Sequence, residues 1–329
     1  MNKKVLITGI AGQDGSYLSE YLLELGYEVH GIIRRQSTPE HQESRIDHLN
    51  KHIKTYYGDL TDYSSLIQIL ATVKPDYIYN LAAMSHVRIS FDIPQYTAQV
   101  NALGVLNLLE AFRVTCPQAR VYQASSSEMI GNSVDSDGFQ RITTPMHPVS
   151  PYGCAKLFAY NLIRHYREAH KYWLVNGVLF NHDSPRRGSN FVTSKVAKGA
   201  VMIKYGLADK LELGNLDSYR DWGHSKDYVV AIGLLLTKDG PPEDMVVATG
   251  VSRSVRDLCN YVFNQLGLSY EDYVVQNQKY LRPEELKYLC GDSSVIREKL
   301  GWQPEYTFEQ MMDEIIEHWD RIISSSLRK

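Results

Sequence analysis

Several things are scarce in this 329-residue sequence, and each shortage removes a class of protein. Only four cysteines occur, Cys116, Cys154, Cys259 and Cys290, with neither a C-x-x-C pair nor finger spacing. That excludes a disulfide framework and a cysteine metal site, and predicts reduced, packed thiols. There is no basic excess: 35 Lys plus Arg against 38 Asp plus Glu leave a net charge of −3. Counterion release, which drives nucleic-acid binding, therefore has no source. No apolar run approaches the roughly 20 residues of a membrane span. Val5-Leu6-Ile7, near the start, is far shorter than the apolar core of a secretory signal. A cytoplasmic protein with neither nucleic-acid nor membrane partners is expected. Low-complexity tracts and fixed-period repeats are missing too.

What is present alternates. Val5 to Ile7, Val29 to Ile33, Thr55 to Tyr57, Tyr77 to Ala82, Val121 to Ala124 and Leu174 to Phe180 read as strands. Between them lie helical stretches, among them Ser64 to Leu70 and Val105 to Phe112. Leu18, Tyr21, Leu22 and Leu25 share one helical face that Gly26 terminates. This repetition predicts an α/β fold: a doubly wound parallel sheet of Rossmann type with a smaller mixed α/β C-terminal domain. At about 150 residues per domain the length suits two units. The rhythm breaks after residue 181, where 181–215 is rich in Ser, Arg, Lys and Gly and no helix or strand is assigned. Helices are expected again from Tyr228 to Leu236, Val255 to Leu266 and Phe308 to Ile323. We expect 1–180, with about 216–250, to form the dinucleotide domain, and 181–215 with 251–329 to form the substrate domain.

Thr8-Gly9-Ile10-Ala11-Gly12-Gln13-Asp14-Gly15 joins the first strand to the first helix. Glycines at i, i+3 and i+6 let the backbone turn tightly and approach a pyrophosphate, while the helix N-terminus supplies N–H groups. Gly9, Gly12, Gln13, Asp14 and Gly15 are thus cofactor candidates. An acidic residue ending the second strand would select NAD through the ribose 2′-hydroxyl. Arg34 and Arg35 stand there instead and suit a 2′-phosphate, which points to NADP. Asp59 and Leu60, after the third strand, are placed to flank the adenine.

Ser150-Pro151 has the form of a helix start, a capping hydroxyl followed by a first-turn proline. Four residues separate Tyr152 from Lys156 on the helix that follows, so they share a face. An ammonium beside the phenol would bring its pKa toward neutrality and make it a base toward a substrate hydroxyl. Y-x-x-x-K alone is a weak pattern, here among 23 tyrosines. The glycine turn and the run Ala124-Ser125-Ser126-Ser127-Glu128 at a strand's carboxyl end give it weight. The Ser126 hydroxyl can share the substrate oxygen with Tyr152. Glu128 adds a second acid/base, as elimination beside a newly formed carbonyl requires; a cap or an arginine pair would use the same residue.

With these residues the chain resembles the extended short-chain dehydrogenase/reductases and, within them, the GDP-mannose 4,6-dehydratases. The resemblance is carried by residues 9–18, Asn80 to Val87, Gln123 to Glu128, Ser150 to Lys156 and Leu179 to Gly188. Arg220-Asp221-Trp222-Gly223-His224, Ala248-Thr249-Gly250, Arg282-Pro283-Glu284-Glu285 and Lys299-Leu300-Gly301-Trp302 extend it. It implies an NADP-dependent lyase in which Tyr152 deprotonates the C4 hydroxyl during hydride transfer. Glu128 would then take the C5 proton and assist loss of water from C6, before hydride returns to C6. Ser126 stands where the family has a threonine. By the same resemblance Leu81, Ala82, Ala83, Ser85, Tyr96, His182 and Arg187 line the cofactor, joined by Tyr152 and Lys156. Ser85, Ser126, Glu128, Asn181, Val192, Lys195, Arg220, Arg282 and Glu285 would hold a GDP-sugar. Two arginines and a lysine suit its diphosphate, and a carboxylate suits the guanine edge.

Three departures from the family pattern lie near the catalytic run: Ile130 for an aromatic, Met146-His147 for an aromatic pair, and Val149 for an arginine. If they border the sugar, GDP-manno-heptose competes with GDP-mannose as substrate. A nucleotide-sugar 4-epimerase or 4-reductase would need only the Ser, Tyr and Lys. An NADP-sensing module would tolerate loss of Tyr152 or Lys156. His41, His48 and His52 have poor ligand spacing, so no metal is expected. The helices from Val105 to Phe112 and from Leu157 to Tyr166 are apolar on more than one face, and the resemblance implies a homodimer or homotetramer packed through them.

Overall fold

The apolar runs become seven parallel strands because both faces of each are covered, and β-branched side chains suit such a sheet. In the computed structural model, which describes residues 2–36 and 44–328, six of these are β1 (Lys4–Thr8), β2 (Glu28–Ile33), β3 (Ile53–Tyr57), β4 (Tyr77–Asn80), β5 (Arg120–Ser126) and β6 (Leu174–Leu179), and the seventh is β10 (Met245–Val247). The other strands are β7 (Asn181–Asp183), β8 (Leu211–Leu213), β9 (Tyr219–His224), β11 (Ser252–Ser254) and β12 (Val274–Gln276). The large sheet runs β10-β6-β5-β4-β1-β2-β3. From β1 the chain winds outward to β3 and returns to β4 on the other side of β1. Connections therefore diverge above the carboxyl ends of β1 and β4 and open a crevice there.

Alternate residues of each strand enter opposite cores. Val5, Ile7 and Tyr79 pack under the helices Gln13–Glu24 and Ser225–Thr237. Leu6, Ile78 and Val121 face the helices Tyr63–Val73, Gly104–Thr115 and Pro151–His170. Gly26, at φ 81°, follows the first helix where its chain must turn back. A further apolar cluster joins the helices Val192–Lys204, Val255–Gln265 and Phe308–Leu327 through Ala197, Ala200, Leu258, Phe263, Met312 and Ile315. Capping boxes, Ser254 with Asp257 and Thr307 with Gln310, start the last two helices. In a second sheet, β9 lies between parallel β7 and antiparallel β11, and β12 pairs with β8.

The stretch 181–215, for which the sequence assigns no elements, contains β7, the helix Val192–Lys204 and β8, its helix burying Val196, Ala197, Ala200 and Val201 on one face. One expectation needs correction. Cys154 is exposed rather than packed, whereas Cys259 and Cys290 are buried and Cys116 half-buried, all as free thiols. Among the described residues no helix is long and apolar enough to cross a membrane. His41 lies outside the described residues, and His48 pairs with Glu20 at 2.6 Å.

Candidate active site

Polar side chains fix the crevice from below. The Thr8 hydroxyl donates to Asn80 Oδ1 at 2.6 Å and accepts the N–H groups of Leu81 and Ala82, each at 3.1 Å. Those two bonds end β4 at Asn80 instead of Ala82. Asn80 Nδ2 donates onward to Gln123 Oε1 at 2.7 Å, tying together the ends of β1, β4 and β5. Asn101 brackets Met84, accepting from its N–H at 2.8 Å and donating to its carbonyl at 2.9 Å. The loop carrying Leu81, Ala83 and Ser85 is thereby held along one wall.

The glycine turn is built for a close approach. Gly9 has φ 70°, and a Cβ there would lie 2.9 Å from Ala82 N. Gly12 N–H donates to Gly9 O at 2.9 Å, and a Cβ on Gly15 would come within 2.4 Å of the same oxygen. Side chains are thus excluded from the turn, and the helix Gln13–Glu24 begins with N–H groups that no helical carbonyl takes. The cradle fits a pyrophosphate. The Gln13 side chain is engaged elsewhere, donating to His182 O at 3.2 Å and accepting from Ser184 Oγ at 2.8 Å.

Asp14 and His182 form a buried ion pair, Nε2 to Oδ2 2.9 Å, while His182 Nδ1 faces Phe180 O at 2.7 Å. Burial works against the charged ring, but the Asp14 carboxylate outweighs it and holds the imidazole pKa up. Burial likewise opposes the Asp14 charge, and His182 overcomes it, holding that carboxyl below its ordinary range. The His182 ring stacks on Tyr228 with centroids 4.4 Å apart. Arg187 pairs with Asp183 at 2.8 Å, and its guanidinium carbon lies 3.6 Å from the Phe191 ring centre.

Above the sheet opens a cleft of about 720 Å³. Asp14, Leu81, Ala83 and Ser85 line it with Ser126, Glu128, Tyr152 and Lys156; so do Asn181, His182, Arg187, Val192, Lys195, Arg220, Arg282 and Glu285. The remaining candidates stand apart from it. Arg34 and Arg35 are exposed beyond β2, and Arg34 Nη1 donates to the Tyr96 hydroxyl. Asp59 accepts from Thr61, and the Leu60 side chain is in the core, which leaves only its backbone for a ligand.

At the cleft floor Ser150 caps the helix Pro151–His170, its hydroxyl accepting from Gly153 N–H at 3.0 Å with Pro151 in the first turn. Tyr152 and Lys156 consequently project together, Lys156 Nζ lying 5.7 Å from the Tyr152 ring centre. The expected lowering of the phenol is reversed. Burial pushes Tyr152 up to about 12, although the Ser126 hydroxyl bonded to it works the other way. Lys156 points at Ala124 O, 2.8 Å away, instead of at the phenol oxygen, and burial lowers its ammonium to about 8. Glu128 is nearly buried; Oε1 accepts from Arg282 Nη1 at 3.2 Å, and Oε2 has no partner among the described residues. The arginine pair left open by the sequence is therefore formed, with one carboxylate oxygen still uncommitted.

The three departures lie behind the wall. Ile130 is fully buried in an apolar cluster with Met129, Tyr160 and Phe180, and Met146 and Val149 pack against it. His147 faces Ser133 at 3.3 Å, and none of these residues lines the cleft. Arg88, Lys279 and Tyr280 do line it and were not singled out. Each sits one to three residues outside a recognised motif, so proximity along the chain was the available signal.

The sequence profile of the GDP-mannose 4,6 dehydratases matches residues 6–315. The GDP-mannose 4,6 dehydratase of Cricetulus griseus is 46% identical, covering 96% of this chain and 91% of its own. GDP-mannose 4,6 dehydratase 2 of Arabidopsis thaliana is 49% identical, covering 96% and 86%. The chain belongs to the GDP-mannose 4,6-dehydratase family. It is thereby an enzyme of the hydro-lyase class. Its fold is similar to that of RMD from Pseudomonas aeruginosa complexed with NADPH, at TM-score 0.77 and 24% identity, covering 98% of this chain and 99% of that one. In this chain the cleft brings Ser126, Glu128, Tyr152 and Lys156 together with the cationic side chains of Lys195, Arg220 and Arg282.

Proposed function

We propose that the protein dehydrates GDP-mannose to GDP-4-keto-6-deoxymannose with NADP. The observation that carries this reading is Glu128, a carboxylate with a free oxygen in the same cleft as Ser126, Tyr152 and Lys156. An epimerase or 4-reductase has no use for that second acid/base. When bound, NADP accepts hydride from C4 and gives it back to C6. The Tyr152 phenol takes the C4 hydroxyl proton, and Ser126 orients that hydroxyl. Because burial holds the phenol near 12, positive charge is needed when it ionises; Arg187 already works in that direction, and Lys156, its Nζ 5.7 Å from the ring centre, would add to it on a small turn of its side chain. Once C4 is a carbonyl the C5 proton is acidic; Glu128 removes it and delivers a proton to the departing C6 hydroxyl. Arg34 and Arg35 would meet the 2′-phosphate, and Lys195, Arg220 and Arg282 the diphosphate.

Placement of Ile130, Met146, His147 and Val149 outside the cleft favours the hexose over the heptose. In this reading 1–180 with 216–250 hold the cofactor, and 181–215 with 251–329 the sugar nucleotide. A homodimer or homotetramer packed through the helices Gly104–Thr115 and Pro151–His170 is supported by Val114 and Phe158, both exposed. Mass spectrometry of the protein with NADP⁺ and GDP-mannose, beside GDP-manno-heptose, tests the reaction. Loss of one water from GDP-mannose without net NADPH consumption is expected. Water loss only from the heptose would move the substrate. A product isomeric with the substrate would replace dehydration by epimerisation.

A further inference from the structure

Arg282 and Glu128 are two groups with different duties under the proposed function, yet without substrate they hold each other. The contact is a single one, Nη1 to Oε1 at 3.2 Å, with Glu128 Oε2 unpartnered. It is not the two-pronged pairing an arginine makes with a permanent carboxylate partner. The Arg282 backbone is anchored: its N–H donates to Glu285 Oε1 at 2.8 Å, and Asn132 bonds Glu285 O and Lys287 N–H on the same segment. Its side chain is one-fifth exposed and lines the cleft.

The neighbourhood wants an anion. Arg220 is buried, and its guanidinium donates to Tyr219 O at 2.7 Å. Burial first, and the Arg282 charge next, press the Arg220 pKa down to about 10. Lys195 lines the same cleft, so three cations face the carboxylates Glu128 and Glu285. A diphosphate entering there relieves the crowding of cations and offers Arg282 more charge than one carboxylate does.

Resting on the proposed function, we infer that Arg282 is handed from Glu128 to the substrate diphosphate. Glu128 is held by Arg282 in the empty cleft and released to act on C5 when a nucleotide diphosphate arrives. Recognition of the nucleotide, remote from the reacting carbons, thereby switches on the elimination base. Arg282 is a positioning residue in this scheme, and its contribution is made on binding.

Crystal structures of the holoenzyme without nucleotide and with GDP, together with steady-state kinetics of R282Q and R282K, test this. With GDP bound, Arg282 is expected on a phosphate oxygen and more than about 4 Å from Glu128. R282Q should raise KM about tenfold or more while kcat stays within about threefold, and R282K should recover part of the loss. A GDP complex that keeps the Arg282–Glu128 bridge overturns the inference. So does an R282Q kcat that falls as far as that of E128Q, because Arg282 would then be holding the base during the reaction. Failure of GDP to bind, read by calorimetry, would instead remove the proposed substrate, and this inference with it.

Discussion

Replacing Gly15 by alanine puts the cofactor cradle to a quantitative test. The new Cβ would lie 2.4 Å from Gly9 O, 2.6 Å from Ile10 Cα and 2.7 Å from Ile10 O, where ordinary contact begins at 3.4 Å. All three obstacles are backbone, so no side chain can swing aside. The turn must open by about 1 Å to admit the methyl, and misplacement of that size costs on the order of a hundredfold. NADP affinity measured calorimetrically should fall by about that factor, and stability by about 1–3 kcal/mol from overpacking. Gly26→Ala is the control. Its Cβ meets nothing within 4 Å, but φ is 81°, so only strain is added. That costs about 1–2 kcal/mol in thermal denaturation and leaves cofactor affinity unchanged. The reasoning is refuted if G15A binds NADP within about threefold of the parent, or if G26A loses as much affinity.

Glu128→Gln keeps the shape and the Arg282 contact, so stability should hold within about 0.5 kcal/mol. Water elimination should slow by about 10²–10⁴, with oxidised sugar and reduced cofactor accumulating in a single turnover followed by mass and absorbance; undiminished water loss would take the base role from Glu128. Lys156 carries a linkage prediction. Its pKa is about 8 folded against 10.5 as the ordinary value, so between those pH values the unfolded chain binds the extra proton and stability rises with pH. Lys156→Met should abolish that rise in denaturant titrations while removing activity, and an unchanged pH profile would show that the buried ammonium carries no such cost. Ile130→Ala empties a fully buried position and should cost about 2–5 kcal/mol while leaving the KM for the sugar unaltered. A shifted preference between hexose and heptose in that variant would place Ile130 at the substrate after all.

Much of the fold was readable because its causes are local. Apolar runs bounded by turn residues became strands, Gly26 ended a helix through its positive φ, and Ser150-Pro151 started one through a hydroxyl on Gly153 N–H. The glycine turn was readable for the same reason, since steric exclusion acts over a few residues. The helix Val192–Lys204 escaped although Val196, Ala197, Ala200 and Val201 mark one face. Small and polar residues, with Gly199 among them, masked a periodicity that only packing against its neighbours rewards.

The chemistry of the cleft divides along the same line. Side-chain types, the spacing of Tyr152 from Lys156, and the arginines after β2 follow from chain order alone. Burial and long-range pairing do not. Tyr152 rises and Lys156 falls in pKa because the fold removes water from both, which no spacing of residues encodes. His182 meets Asp14 across 168 positions, and Arg282 meets Glu128 across 154. Ile130 sits beside the catalytic run in sequence yet faces away from the cleft, into the core. Electrostatics and exposure depend on distances through space, and those exist only once the crossovers have closed the sheet.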